Sequence, residues 1–131
     1  HLDTLRVVHL FEASQRMVDP EISFAELTAW RATHAPKTHP LVWRHLSGRR
    51  SLVLGASASH VEGMEYQAGR DLLVRLRDWA TQPRFVYRHR WTPGDLVIWD
   101  NTGTMHRVTR YALDSGRMML RTTLVGEEAL A

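Results

Sequence analysis

The amino-acid pattern predicts a mostly β fold with flanking helices. Three stretches carry that reading. "RFVYRHRW" alternates Phe85, Tyr87, His89 and Trp91 against Val86, Arg88 and Arg90; "DLVIWDN" is a short apolar run; and "RMMLRTTLVG" alternates again. Pro93-Gly94 and Asp114-Ser115-Gly116 supply turns between them. Short strands so closely spaced, with helical stretches inserted, point to a β-sandwich or barrel. A chain of 131 residues supports one hydrophobic core, so the expected unit is a single domain over 1–131.

The preceding elements follow in chain order. From Asp3 to Met17, Leu5, Val8 and Phe11 fall near one face and predict an amphipathic helix, despite the β-branched pair Val7-Val8. Residues 17–40 hold Pro20, Pro36 and Pro40 and predict a long connection or lid, with a short helix around Phe24 to Trp30. In "LVWRHLSGRRSLVLG" two apolar runs flank Ser47-Gly48, which predicts a hairpin. Between Met64 and Pro83, Leu72, Leu73, Leu76 and Trp79 recur at helical spacing, and Pro83 ends the run.

Composition narrows the chemistry. With no cysteine there are no disulfides and no thiolate ligands, so a metal would be held by imidazole and carboxylate. That absence suits a reducing cytoplasm, and neither a secretory leader nor a membrane-length apolar run is present; a cytoplasmic protein without membrane partners is expected. The charge is 17 − 14 = +3, and Lys37 is the single lysine. The arginines are scattered among carboxylates rather than gathered in a stripe, which argues against nucleic acid. An arginine fork pairs with carboxylates bidentately, which favours planar anions as ligands.

The end of the chain concentrates these possibilities. A period of two sends Arg117, Met119, Arg121 and Thr123 to one face of a strand. The turn at Asp114 to Gly116 would bring both arginines back beside His106, where imidazole and guanidinium could grip a small dianion. The plainer alternative is a hydrogen-bonded strand histidine with a solvated arginine face. Asp95 and Asp100 read as residues that satisfy turn amides, and His89 as a packed strand residue.

"FVYRHRWTPGDLVIWDNTGTMHRVTRY" followed by "RMMLRTTLVGE" resembles the carboxy-terminal portion of the taurine dioxygenase and dichlorophenoxyacetate dioxygenase family. The shared pattern is W-x-P-G-D-x-x-x-W-D-N, a histidine five positions after the asparagine, an arginine eleven further on, and another four after that. The resemblance extends over most of the chain after His39. It implies a double-stranded β-helix, or jelly-roll, incomplete in this chain, and an Fe(II)- and 2-oxoglutarate-dependent oxygenase. His106 then resembles the second histidine of a two-histidine, one-carboxylate iron site. Arg117 resembles the residue that binds the far carboxylate of 2-oxoglutarate, and Trp99 a tryptophan lining that pocket. Arg121 resembles the arginine near the substrate's acidic group, and His60 is a further substrate-contact candidate.

One departure is plain. The family's H-x-[DE] ligands lie much further upstream, and "HLD" at His1 to Asp3 reads as a coincidence, because the residues around it resemble the family's helix after that motif. The expectation is therefore a C-terminal portion of a longer enzyme that hydroxylates a small organic acid, a sulfonate or carboxylate. As in the family, a homo-oligomer is expected. The rival readings are an inactive chain that binds an anion or a partner, and, third, nucleic-acid binding through the arginines.

Overall fold

The structure is a computed structural model that describes residues 1–112 and 114–128. Leu113 and the last three residues of the expected 1–131 unit lie outside the described residues. Strands and flanking helices are both present. β1 (Arg6–His9), β2 (Lys37–Pro40) and β5 (Ala58–Val61) form an antiparallel sheet in the order β2-β1-β5, and β3 (Val42–Arg44) pairs with β4 (Arg50–Leu52). The helices are α1 (Phe11–Gln15), α2 (Phe24–Thr33) and α3 (Tyr66–Ala80).

Val7 and Val8 decide the first departure from expectation. The helix foreseen from Asp3 to Met17 is instead a 3₁₀ turn at Leu2–Thr4, then β1, then α1. Branching at Cβ suits the pleated sheet, and Val7 there is fully buried, opposite His39 on β2 and Val61 on β5. A helix would have lost that burial, worth roughly 1.5–3 kcal/mol for a valine-sized side chain.

The span 17–40 is also more ordered than a long connection. Ser23 accepts from the Glu26 amide while Glu26 accepts from the Ser23 amide, a reciprocal cap that starts α2. Arg31 Nε donates to the buried Glu12 carboxylate at 2.8 Å, and Phe11 packs on Trp30 and His34, so α1 holds α2 in place.

Leu41 joins the two sheets. Its amide donates to the Leu5 carbonyl at 2.8 Å and its carbonyl accepts from Val53 at 2.8 Å, so the chain passes from β2 to β3 through a fully buried residue. The predicted hairpin forms with Val42 opposite Leu52 and Arg44 opposite Arg50, and Gly48 takes φ 82° in its turn. The helix read between Met64 and Pro83 is α3, capped by the Glu65 carboxylate on the Gln67 and Ala68 amides. Leu73 of α3 completes a core with Val7, Leu41 and Val61. Gly69 lets the helix touch β5: an added Cβ would lie 2.9 Å from the Val61 amide nitrogen.

Beyond α3 the expectation and the structure diverge. The segments read as strands, 84–91, 95–101 and 117–126, carry no strand pairing, and Pro83–Phe85 is a 3₁₀ turn. Among the described residues no barrel closes. The physical reason is exposure on both sides: Ile98 is 85% and Leu120 93% accessible, so nothing opposes these apolar residues. A ladder needs a partner edge, and an isolated hairpin is at best marginally stable in water.

Candidate functional site

The site segment begins with a tight turn at 100–104. The Asp100 carboxylate accepts from the Thr102 amide at 2.8 Å and the Thr102 hydroxyl at 2.6 Å, while the Asp100 carbonyl accepts from the Thr104 amide. Those bonds, the hydroxyl first, hold the Asp100 carboxyl below its ordinary pKa. Gly103 leaves room for the Asp100 carboxylate, since a Cβ there would lie 2.8 Å from Asp100 Oδ2 and displace it. Asp95 has the same role in the preceding turn. It accepts from the Thr92 amide and hydroxyl and bonds His89 Nε2 at 2.9 Å, and the Thr92 bonds are the main cause of its lowered pKa. Both aspartates thus satisfy turns, as the sequence suggested.

The turn at 100–104 sets Trp99 and His106 together. Their rings lie 5.1 Å apart at 53°, and the indole N–H of Trp99 donates to Asn101 Oδ1 at 2.8 Å. The Arg121 guanidinium sits 5.9 Å from the Trp99 ring centre. Three of the sequence-chosen residues therefore form one group. Arg117 stands on Tyr111 instead, 4.6 Å from its ring centre. His60, on β5, bonds the Ser59 hydroxyl through Nδ1 at 3.1 Å and packs on Tyr66. The inward-facing cavity expected around the group is absent from the described structure: Trp99, His106, Arg117 and Arg121 are all exposed, since no opposing sheet covers them.

The same geometry tests the metal. Among the described residues no three His, Asp or Glu side chains come together. His106 offers one imidazole, its ring neighbour is an indole, and Asp3 is taken by Arg44 at 3.1 Å and Arg50 at 3.7 Å. A facial iron site needs three protein donors. The described residues do not make one.

Reasoning from sequence did not find the anchor of this segment. The Ser51 hydroxyl on β4 donates to the Thr102 carbonyl at 2.8 Å, and His45, just after β3, bonds both Ser51 and Glu128. Glu128 is 83 positions from His45, and no local pattern signals such a pair. No helix among the described residues is long and apolar enough to cross a membrane.

Comparison with known proteins adds what the geometry leaves open. The family model "Taurine catabolism dioxygenase TauD, TfdA family" matches residues 1–123, further upstream than the stretch after His39 that carried the resemblance. The chain is 42% identical over 127 residues to the alpha-ketoglutarate-dependent 2,4-dichlorophenoxyacetate dioxygenase of Cupriavidus pinatubonensis, covering 96% of this chain and 43% of that protein. It is 33% identical over 132 residues to the (S)-phenoxypropionate/alpha-ketoglutarate-dioxygenase of Sphingobium herbicidovorans, covering 98% of this chain and 46% of the relative. The crystal structure of AAD-2 in complex with Mn(II) and N-oxalylglycine is similar with a TM-score of 0.75 at 37% identity, over 85% of this chain and 43% of that one. The chain thus spans less than half the length of the curated relatives it matches. With nearly its whole length matched by the family model, the chain belongs to the TauD/TfdA family of dioxygenases.

Proposed function

We propose that the chain, residues 1–131, is the carboxy-terminal portion of a jelly-roll Fe(II)- and 2-oxoglutarate-dependent dioxygenase that hydroxylates a small organic acid. One C–H bond becomes C–OH while O₂ and 2-oxoglutarate yield succinate and CO₂. The observation that supports this most is the grouping of Trp99, His106 and Arg121 in a chain whose relatives are named for this activity. In this reading His106 is one iron ligand, and the other two donors come from a preceding segment of the same protein. Arg117 binds the far carboxylate of 2-oxoglutarate, Trp99 lines that pocket, and Arg121 takes the substrate's anionic group through its fork. His60 makes a minor substrate contact. The relatives' phenoxyacetate and phenoxypropionate favour a carboxylate over a sulfonate. The residues 17–40, with α2, would cover the pocket as a lid, and the whole protein would be a cytoplasmic homo-oligomer with no nucleic-acid partner.

The missing partner edge for the apolar residues of 85–125 fits the same picture, because the preceding barrel strands would supply it. The test is succinate release by the native-length polypeptide given Fe(II), O₂, 2-oxoglutarate and a phenoxy acid. Release is expected from wild type and not from His106→Ala. A second reading, an anion- or partner-binding chain without turnover, is favoured by the lack of a three-donor group among the described residues. It predicts 2-oxoglutarate binding that is lost in Arg117→Ala, with no succinate formed under any of these conditions.

A further inference from the structure

The sheet β2-β1-β5 has two faces, and α3 takes one of them. Val7 of β1 and Val61 of β5 form the core with Leu73 of α3. Side chains alternate along a strand, so Val8 stands on the opposite face. Its register sets it directly across from Thr38 on β2 and from His60 on β5, which makes one row, Thr38, Val8 and His60, across all three strands. The three residues are half-buried.

An apolar side chain is thus flanked by two polar groups that the described chain does not use. The Thr38 carbonyl accepts from Arg6 Nη2 at 3.1 Å, but the Thr38 hydroxyl has no partner among the described residues. His60 uses Nδ1 on the Ser59 hydroxyl at 3.1 Å and packs its ring on Tyr66, which leaves Nε2 without a partner among the same residues. Both groups are therefore free to meet a ligand. A strand spacing of about 4.8 Å puts them roughly 10 Å apart with Val8 between, room for one aromatic ring laid over the valine. Beyond one end of the row Arg6 pairs with Glu62 at 3.5 Å, so the carboxylate there is not left to repel an acid.

We propose that this row is the wall that receives the aromatic part of the substrate, with Val8 and Thr38 setting specificity alongside His60. The proposal rests on the dioxygenase reading above and adds which residues meet the part of a phenoxy acid that Arg121 does not hold. A sheet covered by a helix on one face turns its other face inward when a barrel closes, and alternate residues of each strand then enclose the ligand. Val8 offers the ring an aliphatic surface, while the Thr38 hydroxyl and His60 Nε2 meet the ether oxygen or polar ring substituents at either side. A larger side chain in place of Val8 would fill the space for the ring. None of the three residues holds 2-oxoglutarate, which that reading assigns to Arg117.

The test is calorimetric binding of phenoxyacetate, and separately of 2-oxoglutarate, to the native-length polypeptide, with succinate release measured on the same preparations. Val8→Phe is expected to weaken phenoxyacetate binding about tenfold or more, and Thr38→Val severalfold, with 2-oxoglutarate binding within about twofold of wild type. Unchanged phenoxyacetate affinity in either variant would overturn the wall, as would a parallel loss of 2-oxoglutarate affinity, which marks general damage. Histidine-labelled ¹⁵N NMR of wild type needs no variant to fold: the His60 ring signals should move when phenoxyacetate is added, and fixed signals would refute the proposal. Succinate release by wild type with unaltered affinity in the variants removes the wall and leaves the dioxygenase reading standing. Phenoxyacetate binding that the variants weaken, with no succinate under any condition, does the reverse.

Discussion

His9 shows what a single side chain does when a sheet closes over it. Its Nδ1 bonds the Ser57 hydroxyl at 3.0 Å, its Nε2 is buried with no partner among the described residues, and its ring lies 5.5 Å from His39 on the neighbouring strand. Burial first, and the nearby His39 second, lower its pKa from 6.5. The unfolded chain therefore binds the proton more readily than the folded one, so stability from this group is complete above about pH 6.5 and falls as pH drops through the lowered folded value. Thermal melts at pH 7.5 and 5.0 should show an acid loss that is smaller in His9→Gln. Asp95 and Asp100 follow the same sign for a different reason, because hydrogen bonds favour their charged form whereas burial favours the neutral form of His9. Their pKa values are lowered from 3.8 by turn hydrogen bonds, so ionised turns persist above that value and are lost as pH falls through the depressed one. The Trp99 indole resonance should hold its position from pH 7 to 4.5 and move below that range.

At the scale of elements, the contact of α3 with β5 is the tightest joint. Gly69 has no room for a methyl against the Val61 backbone, so Gly69→Ala must push the helix off the sheet. A loss of about 1–3 kcal/mol is expected in chemical denaturation, whereas the same change at the open Gly55 should cost far less. Elements of this kind were legible in the sequence when the signal was local. Leu72, Leu73 and Leu76 marked α3, Ser47-Gly48 marked the hairpin, and the turn roles of Asp95 and Asp100 followed from short-range chemistry. Val7 and Val8 misled because Leu5, Val8 and Phe11 imitate a helical face, while the competing burial of Val7 depends on Leu41, Val61 and Leu73, which are distant in sequence. Period-two spacing placed Arg117 and Arg121 beside His106 and the family resemblance added Trp99; the structure groups Trp99, His106 and Arg121 but sets Arg117 on Tyr111, and the contact of His45 with Glu128 had no local signal, since Glu128 comes from the far end of the chain.

For the whole molecule, the governing feature is a set of apolar side chains beyond α3 that no described residue covers. Leu96, Ile98, Leu120 and Leu124 are each more than four-fifths exposed, as Tyr87 is, which exceeds what scattered surface residues account for. The period-two pattern that suggested strands meets no pairing among the described residues, because a ladder needs a second edge. The isolated 131-residue chain should therefore bind a hydrophobic dye strongly. Adding a companion polypeptide that carries the family's upstream segment should suppress that binding; dye fluorescence at matched concentrations measures both.

The central claim is that His106 belongs to the catalytic apparatus of a 2-oxoglutarate oxygenase. The most direct measurement is succinate formed by the native-length protein and by its His106→Ala variant under Fe(II), O₂, 2-oxoglutarate and a phenoxy acid. Succinate from wild type with a loss of roughly a thousandfold or more in the variant is expected, since a metal ligand is removed. Equal consumption of 2-oxoglutarate by the two proteins would contradict it.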